Sequence, residues 1–359
     1  MVGMRQEPCT RSTAARTLLT AATVALLAAG CTARTGPDDD GRGPGPRTAQ
    51  GTHDTRDAGG GGDTGGTGDR GDQGGKGGKG DTGEAGNRAV SPLAVKIDNV
   101  PAARPQTGLD AADVVYVEPV EGGLSRLMAV YATRLPESVG PVRSARESDL
   151  DLLAQFHRPT LAFSGAQRKL LPLIGKAPVR AEQPGGAAGA YVRDSARPAP
   201  HNLYARPGKL LPTAPGKAAL TTGFRFGAAP ADGRAQSSHT VRYPAARFTF
   251  TWSPSRDKWL VTMDGDPAVT SDGKRLTPST VVVQYVKVRE SSFHDSRGNH
   301  TPYVETVGTG RAEVLRDGRT HAAAWRREAA TRGTAFTAAD GSPLRFADGQ
   351  VWVVFAEAT

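Results

Sequence analysis

The residues best equipped for chemistry are concentrated between positions 98 and 146 of this 359-residue chain, with a second group near 201. Arg143 and Arg146 lie in GPVRSARESDLDLL (140–153), where Ser144 and Glu147 form the S-x-x-E pattern of a helix start. The N-terminus of a helix already carries partial positive charge, so each guanidinium there is disfavoured by roughly 0.3–1 kcal/mol unless an anion compensates. Two compensations are open. Asp98, Asp113, Glu118 and Glu121 can pair with the arginines internally, in the bidentate geometry that suits Arg. Alternatively both guanidinium groups and the free helix N–H groups hold the phosphate or carboxylate of a ligand.

The same alternatives recur nearby. In EPVEGGLSR, Glu118 and Glu121 are three residues apart, a spacing open to a general acid/base pair of the kind that cleaves glycosides. Beside Arg126 they form an equally good salt-bridge cluster. In IDNVPAARPQTG, Asp98, Asn99 and Arg104 follow a strand, at the end where open α/β sheets bind ligands; Asp98 and Asn99 also suit a turn. His201 and Asn202 in APHNLY sit on a long irregular segment, where the histidine can act as acid, base or ligand or simply pack. The candidate binding set is therefore Arg143, Arg146, Arg104, Arg126, Asp98, Asn99, Ser144, His201 and Asn202, with Glu118, Glu121 and His201 as catalytic candidates. No metal-ligand spacing, P-loop or G-x-S-x-G elbow is present, and no cofactor is indicated.

The elements expected to position these residues are short. LAVKI (93–97), DVVYVEP (113–119) and SRLMAVYA (125–132) read as strands, and a helix is expected from Ser144 to Arg158, where Pro159 stops it. TLAFSG (160–165) follows as a strand and QRKLLPLI as a short helix. Residues 176–216 lack periodicity, and so long an irregular segment reads as a functional loop or a disordered one. GFRFGAAPADGRAQSS (223–238) reads as a linker. Beyond it RFTFTW, KWLVTM, TVVVQYVKV and VWVVFA are strands separated by turns, with Phe248, Phe250 and Trp252 on the face opposite Arg247, Thr249 and Thr251. The expected architecture is an α/β domain at 89–230 followed by a smaller antiparallel β-rich domain at 236–359.

What precedes 89 reads as export and tethering. Arg5, Arg11 and Arg16 lead into the uncharged run TLLTAATVALLAAG, a signal peptide over 1–30. LAAG before Cys31 resembles a bacterial lipobox, which makes Cys31 the lipidated residue and the anchor to the membrane. Residues 31–88 are nearly devoid of apolar side chains and read as a disordered tether, with ends roughly 40 Å apart on average. Cys9 lies within the leader, so no disulfide is available to the mature chain. The leader holds three arginines against Glu7 and the tether eight basic against ten acidic residues, so the net +9 resides on 89–359. An exported basic domain points to wall polymers, lipid headgroups or an envelope protein, and not to nucleic acid.

The motifs PLAVKIDNVPAARPQTGLDAADVVYVEPVEGGLSRLMAVY, VGPVRSARESDLDL and APHNLY, with GTGRAEVLRDG, HAAAWRRE and DGQVWVVF later, resemble the YerB-like lipoproteins, the two-part family termed domain of unknown function 3048. The resemblance implies an exported, lipid-anchored protein of Gram-positive envelopes, extracytoplasmic on the outer face of the membrane, and carries no catalytic residue. The reading is a protein that binds an anionic or zwitterionic wall component or a wall-synthesis protein. Its rivals are a wall-polymer enzyme using Glu118 or Glu121, and a structural lipoprotein whose charges all pair internally.

Overall fold

The computed structural model describes residues 90–295 and 298–358. The expected signal peptide (1–30), the lipidation at Cys31 and the tether (31–88) lie outside the described residues.

DVVYVEP and LAVKID are apolar runs without polar alternation, the pattern of strands covered on both faces. They form β2 (Val114–Pro119) and β1 (Leu93–Asp98), with β3 (Ser125–Tyr131) antiparallel between them. β4 (Thr160–Ala162) and β5 (Arg180–Glu182) extend this sheet in parallel beyond β1. β6 (Tyr191–Arg193) and β7 (Leu203–Ala205) make a separate hairpin. β8 (Arg225–Phe226) and β9 (Arg234–Ala235) follow.

β10 (Ser238–Tyr243), β11 (Ala246–Ser253), β12 (Lys258–Met263) and β13 (Asp266–Pro267) form a four-stranded antiparallel sheet. β14 (Thr280–His294), β15 (His300–Glu305), β16 (Gly308–Arg316), β17 (Arg319–Arg327) and β18 (Ala335–Thr337) build antiparallel ladders, and β19 (Arg345–Phe346) pairs with β8. The last strand, β20 (Val351–Glu357), runs parallel to both β14 and β2 and joins the early and late strands into one 12-stranded sheet.

Period-2 alternation divides the core. Val115, Val117, Ile97 and Leu127 face Phe248, Phe250, Trp259 and Trp352 on one side. Val114, Tyr116, Ala94 and Met128 face Leu152, Leu153, Phe156 and Phe355 on the other. The expected alternation in β11 holds for the fully buried Phe248 and Phe250, while Trp252 is half-buried against Trp259 at 5.4 Å between ring centroids.

The chain is β-rich, and its helices are short. The helix expected over 144–158 is α1 (Ser148–Leu153), of six residues; α2 (Leu171–Lys176) and α3 (Pro207–Leu210) are no longer. Ser144 does not cap α1. Tertiary hydrogen bonds hold its segment extended instead: Arg143 N donates to Lys96 O (2.8 Å), Ser164 N to Arg143 O (3.0 Å) and Ala145 N to Gly165 O (2.9 Å). The segment expected as a linker contributes β8, β9 and Phe224, whose ring packs on Phe346 at 5.0 Å. Among the described residues no helix is long and apolar enough to cross a membrane.

Trp352 is fully buried on β20, between the rings of Phe248 and Phe250 and the sheet. Trp352→Ala should cost about 3–5 kcal/mol of unfolding free energy, measured by urea denaturation.

Candidate functional site

Register brings the predicted residues together. Asp98 ends β1, Arg126 begins β3 and Glu118 nears the end of β2; Asp98 is directly opposite Arg126, and Arg126 opposite Glu118. All three project to the same face as Ala94, Tyr116 and Met128, so the apolar face of the sheet gives way to charge at this end. The extended segment 143–146 and the first turn of α1 cover it.

Two ion clusters result. In the inner one Lys96 Nζ lies 2.7 Å from Glu118 Oε2 and 2.6 Å from Asp149 Oδ1, with lysine and aspartate both at 0% exposure. Asp149 Oδ2 accepts Arg146 N at 2.8 Å, which ties α1 to the sheet. Burial, reinforced by the neighbouring Asp149 and only partly offset by Lys96, pushes Glu118 up to about 8. Two carboxylates and one ammonium in a dry space are neutral when Glu118 keeps its proton. Its Oε1 is buried with no hydrogen-bond partner among the described residues.

The outer cluster holds the arginines. Arg146 grips Glu121 with two hydrogen bonds, Nε–Oε1 at 2.6 Å and Nη2–Oε2 at 2.9 Å, and Thr301 also donates to Glu121. Burial alone would raise Glu121, but the Arg146 guanidinium overcomes it and holds the carboxyl at about 2. Arg143 Nε lies 3.1 Å from Asp98 Oδ2, which also meets His201 Nδ1 at 2.8 Å. The His201 hydrogen bond and the Arg126 and Arg143 charges outweigh burial and hold Asp98 below the usual carboxylate range. Arg126 donates through Nη1 to the Ser144 carbonyl at 3.0 Å. Its burial, with Arg146 and Arg143 close by, lowers it to about 9. Arg143 is 12% exposed, and its Nη1 is buried without an acceptor among the described residues.

The chain matches the families described as "Protein of unknown function (DUF3048) N-terminal domain" over residues 80–221 and "Protein of unknown function (DUF3048) C-terminal domain" over 239–353. It belongs to the DUF3048 family. It is 29% identical over 283 residues to "Putative lipoprotein YerB" of Bacillus subtilis strain 168, covering 73% of this chain and 80% of the relative. A crystal structure of YerB from Bacillus subtilis shares the fold, with a TM-score of 0.62, 21% identity and coverage of 75% of this chain and 91% of that one.

In this DUF3048 chain the expected internal pairing is selective. Glu121 and Asp98 take arginines, but Glu118 takes Lys96. Asp113 takes none; its carboxylate accepts the Ala132 and Thr133 amides at 2.7 and 2.9 Å. Glu118 and Glu121 are thus committed to different cations, and at 2% and 7% exposure neither presents a carboxylate to solvent as a glycosidase pair would. With six residues, α1 supplies no helix-end anion site.

Asn99 and Arg104 support the site from below: Arg104 donates to Asn99 O at 2.7 Å and Asp264 Oδ2 at 2.8 Å, stitching this end to the small sheet. Asn202 is spent on Arg193 and the Arg197 carbonyl. Lys96, Asp149 and Thr301 escaped the sequence reading. A lysine inside the apolar run LAVKI was the available signal, since a buried ammonium demands a carboxylate. Among the described residues no group of three His, Cys, Asp or Glu is placed to hold a metal.

The two glutamates predict opposite pH dependence. With a folded value of about 8 against an ordinary 4.5, Glu118 contributes stability that is full below about pH 4.5 and is lost as pH rises to 8. Glu121, held at about 2, contributes stability above its ordinary 4.5 that is lost as pH falls through 2. Thermal melts of Glu118→Gln, which mimics the protonated acid, should lose less stability than wild type between about pH 5 and pH 8.5. Lys96→Met strands two buried carboxylates together and should cost about 3–5 kcal/mol, read by urea denaturation at neutral pH.

Proposed function

We propose that this DUF3048 protein is a lipid-anchored, extracytoplasmic binding protein whose α/β part, 89–230, takes an anionic or zwitterionic component of the cell envelope through Arg143 and Arg126. Cys31 is its anchor, and the tether that follows lets the folded part work within the wall. The observation that carries this reading is the pairing deficit around Asp98. The charges of two guanidinium groups, the buried Arg126 and the 12% exposed Arg143, fall on that one carboxylate, and Arg143 Nη1 has no acceptor among the described residues.

A buried donor without an acceptor costs roughly 1–3 kcal/mol, more for a charged one, and a guest phosphate or carboxylate would recover it. His201, partly exposed and oriented by Asp98 at 2.8 Å, adds a second polar side chain beside the same carboxylate. The +9 net charge of the chain favours approach of an anionic polymer at long range. The enzymatic alternative is weaker, because Glu118 holds a proton but is 2% exposed, out of reach of a polymer.

The test is calorimetric titration of the full-length chain with soluble peptidoglycan fragments and, separately, with glycerol phosphate. Arg143→Ala should weaken binding about tenfold or more without lowering the melting temperature by more than a few degrees. Arg143→Lys should not restore it, since an ammonium lacks the planar fork. Glu118→Gln should bind as wild type and release no new product from the fragments. Equal affinity of wild type and Arg143→Ala for both probes would end the proposal.

A further inference from the structure

A cavity lies away from the arginine cluster and has no part in the function proposed above. Its volume is about 580 Å³, the size of a small-molecule site. It opens where the segments 110–114, 133–134, 217–226 and 348–350 converge, so residues from both ends of the fold line it.

One wall is aromatic. Phe224 packs on Phe336 and Phe346 at 5.9 and 5.0 Å, and Phe226 meets Phe346 edge-on at 6.2 Å. Four of the ten phenylalanines of the chain thus gather here. The outer one, Phe226, is 41% exposed on the cavity side of that cluster. An aromatic ring left open beside a cavity is apolar area that a guest can cover.

The polar groups divide into those already used and those not. Asp113 accepts three hydrogen bonds, from Ala132 N, Thr133 N and Thr133 Oγ1. Asp110 faces Arg134 and Lys274. Gln350 donates to the Leu109 and Ala112 carbonyls and accepts from Trp352. Lys217 and Asp348 line the same cavity and are exposed, with no ion pair between them or to another described residue.

Their backbones are held in place. Gly216 N donates to Ala132 O at 2.8 Å beside Lys217, and Ser279 N donates to Gln350 O at 2.9 Å beside Asp348. Gly349 is at φ +121°, and a Cβ there would come within 2.3 Å of Ser279 Oγ, so the loop carrying Asp348 sits tight on the sheet. One free cation, one free anion and an apolar wall around a preformed space describe the complement of an apolar zwitterion.

We propose that this cavity binds a free amino acid or short peptide with apolar side chains, its side chains against Phe224 and Phe226, its carboxylate at Lys217 and its ammonium at Asp348. Exposed charges contribute little affinity and mainly fix orientation, so the apolar wall supplies most of the binding.

The experiment is isothermal titration of the full-length chain with leucyl-leucine and with its N-acetylated, C-amidated form. Saturable binding of the free dipeptide is expected, with a dissociation constant on the order of 0.1–1 mM. Phe226→Ala should weaken it at least about fivefold, and Lys217→Glu or the blocked dipeptide about threefold. Phe226 and Lys217 are exposed, so unchanged melting temperatures should show that both variants fold. Arg143→Ala should bind the dipeptide normally, which separates this site from the other. The proposal fails if no saturable heat develops up to about 10 mM, if Phe226→Ala binds as wild type, or if the blocked dipeptide binds as tightly as the free one.

Discussion

Lys96 determines how the charged end of the sheet is built. Its ammonium is fully buried in a strand that carries one other charge, the terminal Asp98, and it must find counter-charge within its own reach. It takes Glu118 from β2, across the intervening β3, and Asp149 from the covering helix, at 2.7 and 2.6 Å. Asp149 then fixes the Arg146 amide, Arg146 fixes Glu121, and Glu121 accepts Thr301 from β15. A chain of polar contacts thus runs from β1 to β15, and it places Arg146.

That arrangement explains why the outer cluster is electropositive. The inner triad is neutral once Glu118 keeps a proton, so it lends no charge outward. Glu121 is spent on Arg146. What remains around Asp98 is two guanidinium groups and a histidine for one carboxylate, a local excess held in place by backbone hydrogen bonds from the extended segment 141–145. The puzzle of arginines at a helix start disappears, since they lie on an extended segment upstream of a six-residue helix and the helix dipole is not what they answer to.

Much of the fold was legible in sequence. The runs at 93–97, 113–119 and 125–132 became β1, β2 and β3 nearly residue for residue, because an apolar stretch rich in β-branched residues has one stable use in a β-rich chain. The alternation in RFTFTW told which face of β11 was buried. The helix from Ser144 was over-read: its capping pattern is a local preference of about 1 kcal/mol, and three hydrogen bonds to β1 and the segment after β4 outweigh it. The stretch 223–238 reads as a linker because it has no sustained apolar period, yet Phe224 and Phe226 anchor it in an aromatic cluster.

The sequence by itself determined the strands, the faces they bury and the set of charged residues near one end, because those follow from side-chain period and residue type along a continuous stretch. It also marked the family through the order of its motifs. Only the tertiary structure decided which carboxylate serves which cation. Asp98, Glu118 and Glu121 are equivalent in sequence terms, and their partners follow from the order β2–β3–β1 and from how far α1 advances over the sheet. Likewise Val351 reaches Val114 across more than 200 residues, and no local pattern specifies such a pairing. Ion pairing in a dry interior is decided by distances of a few ångströms, and those exist only once remote segments have packed.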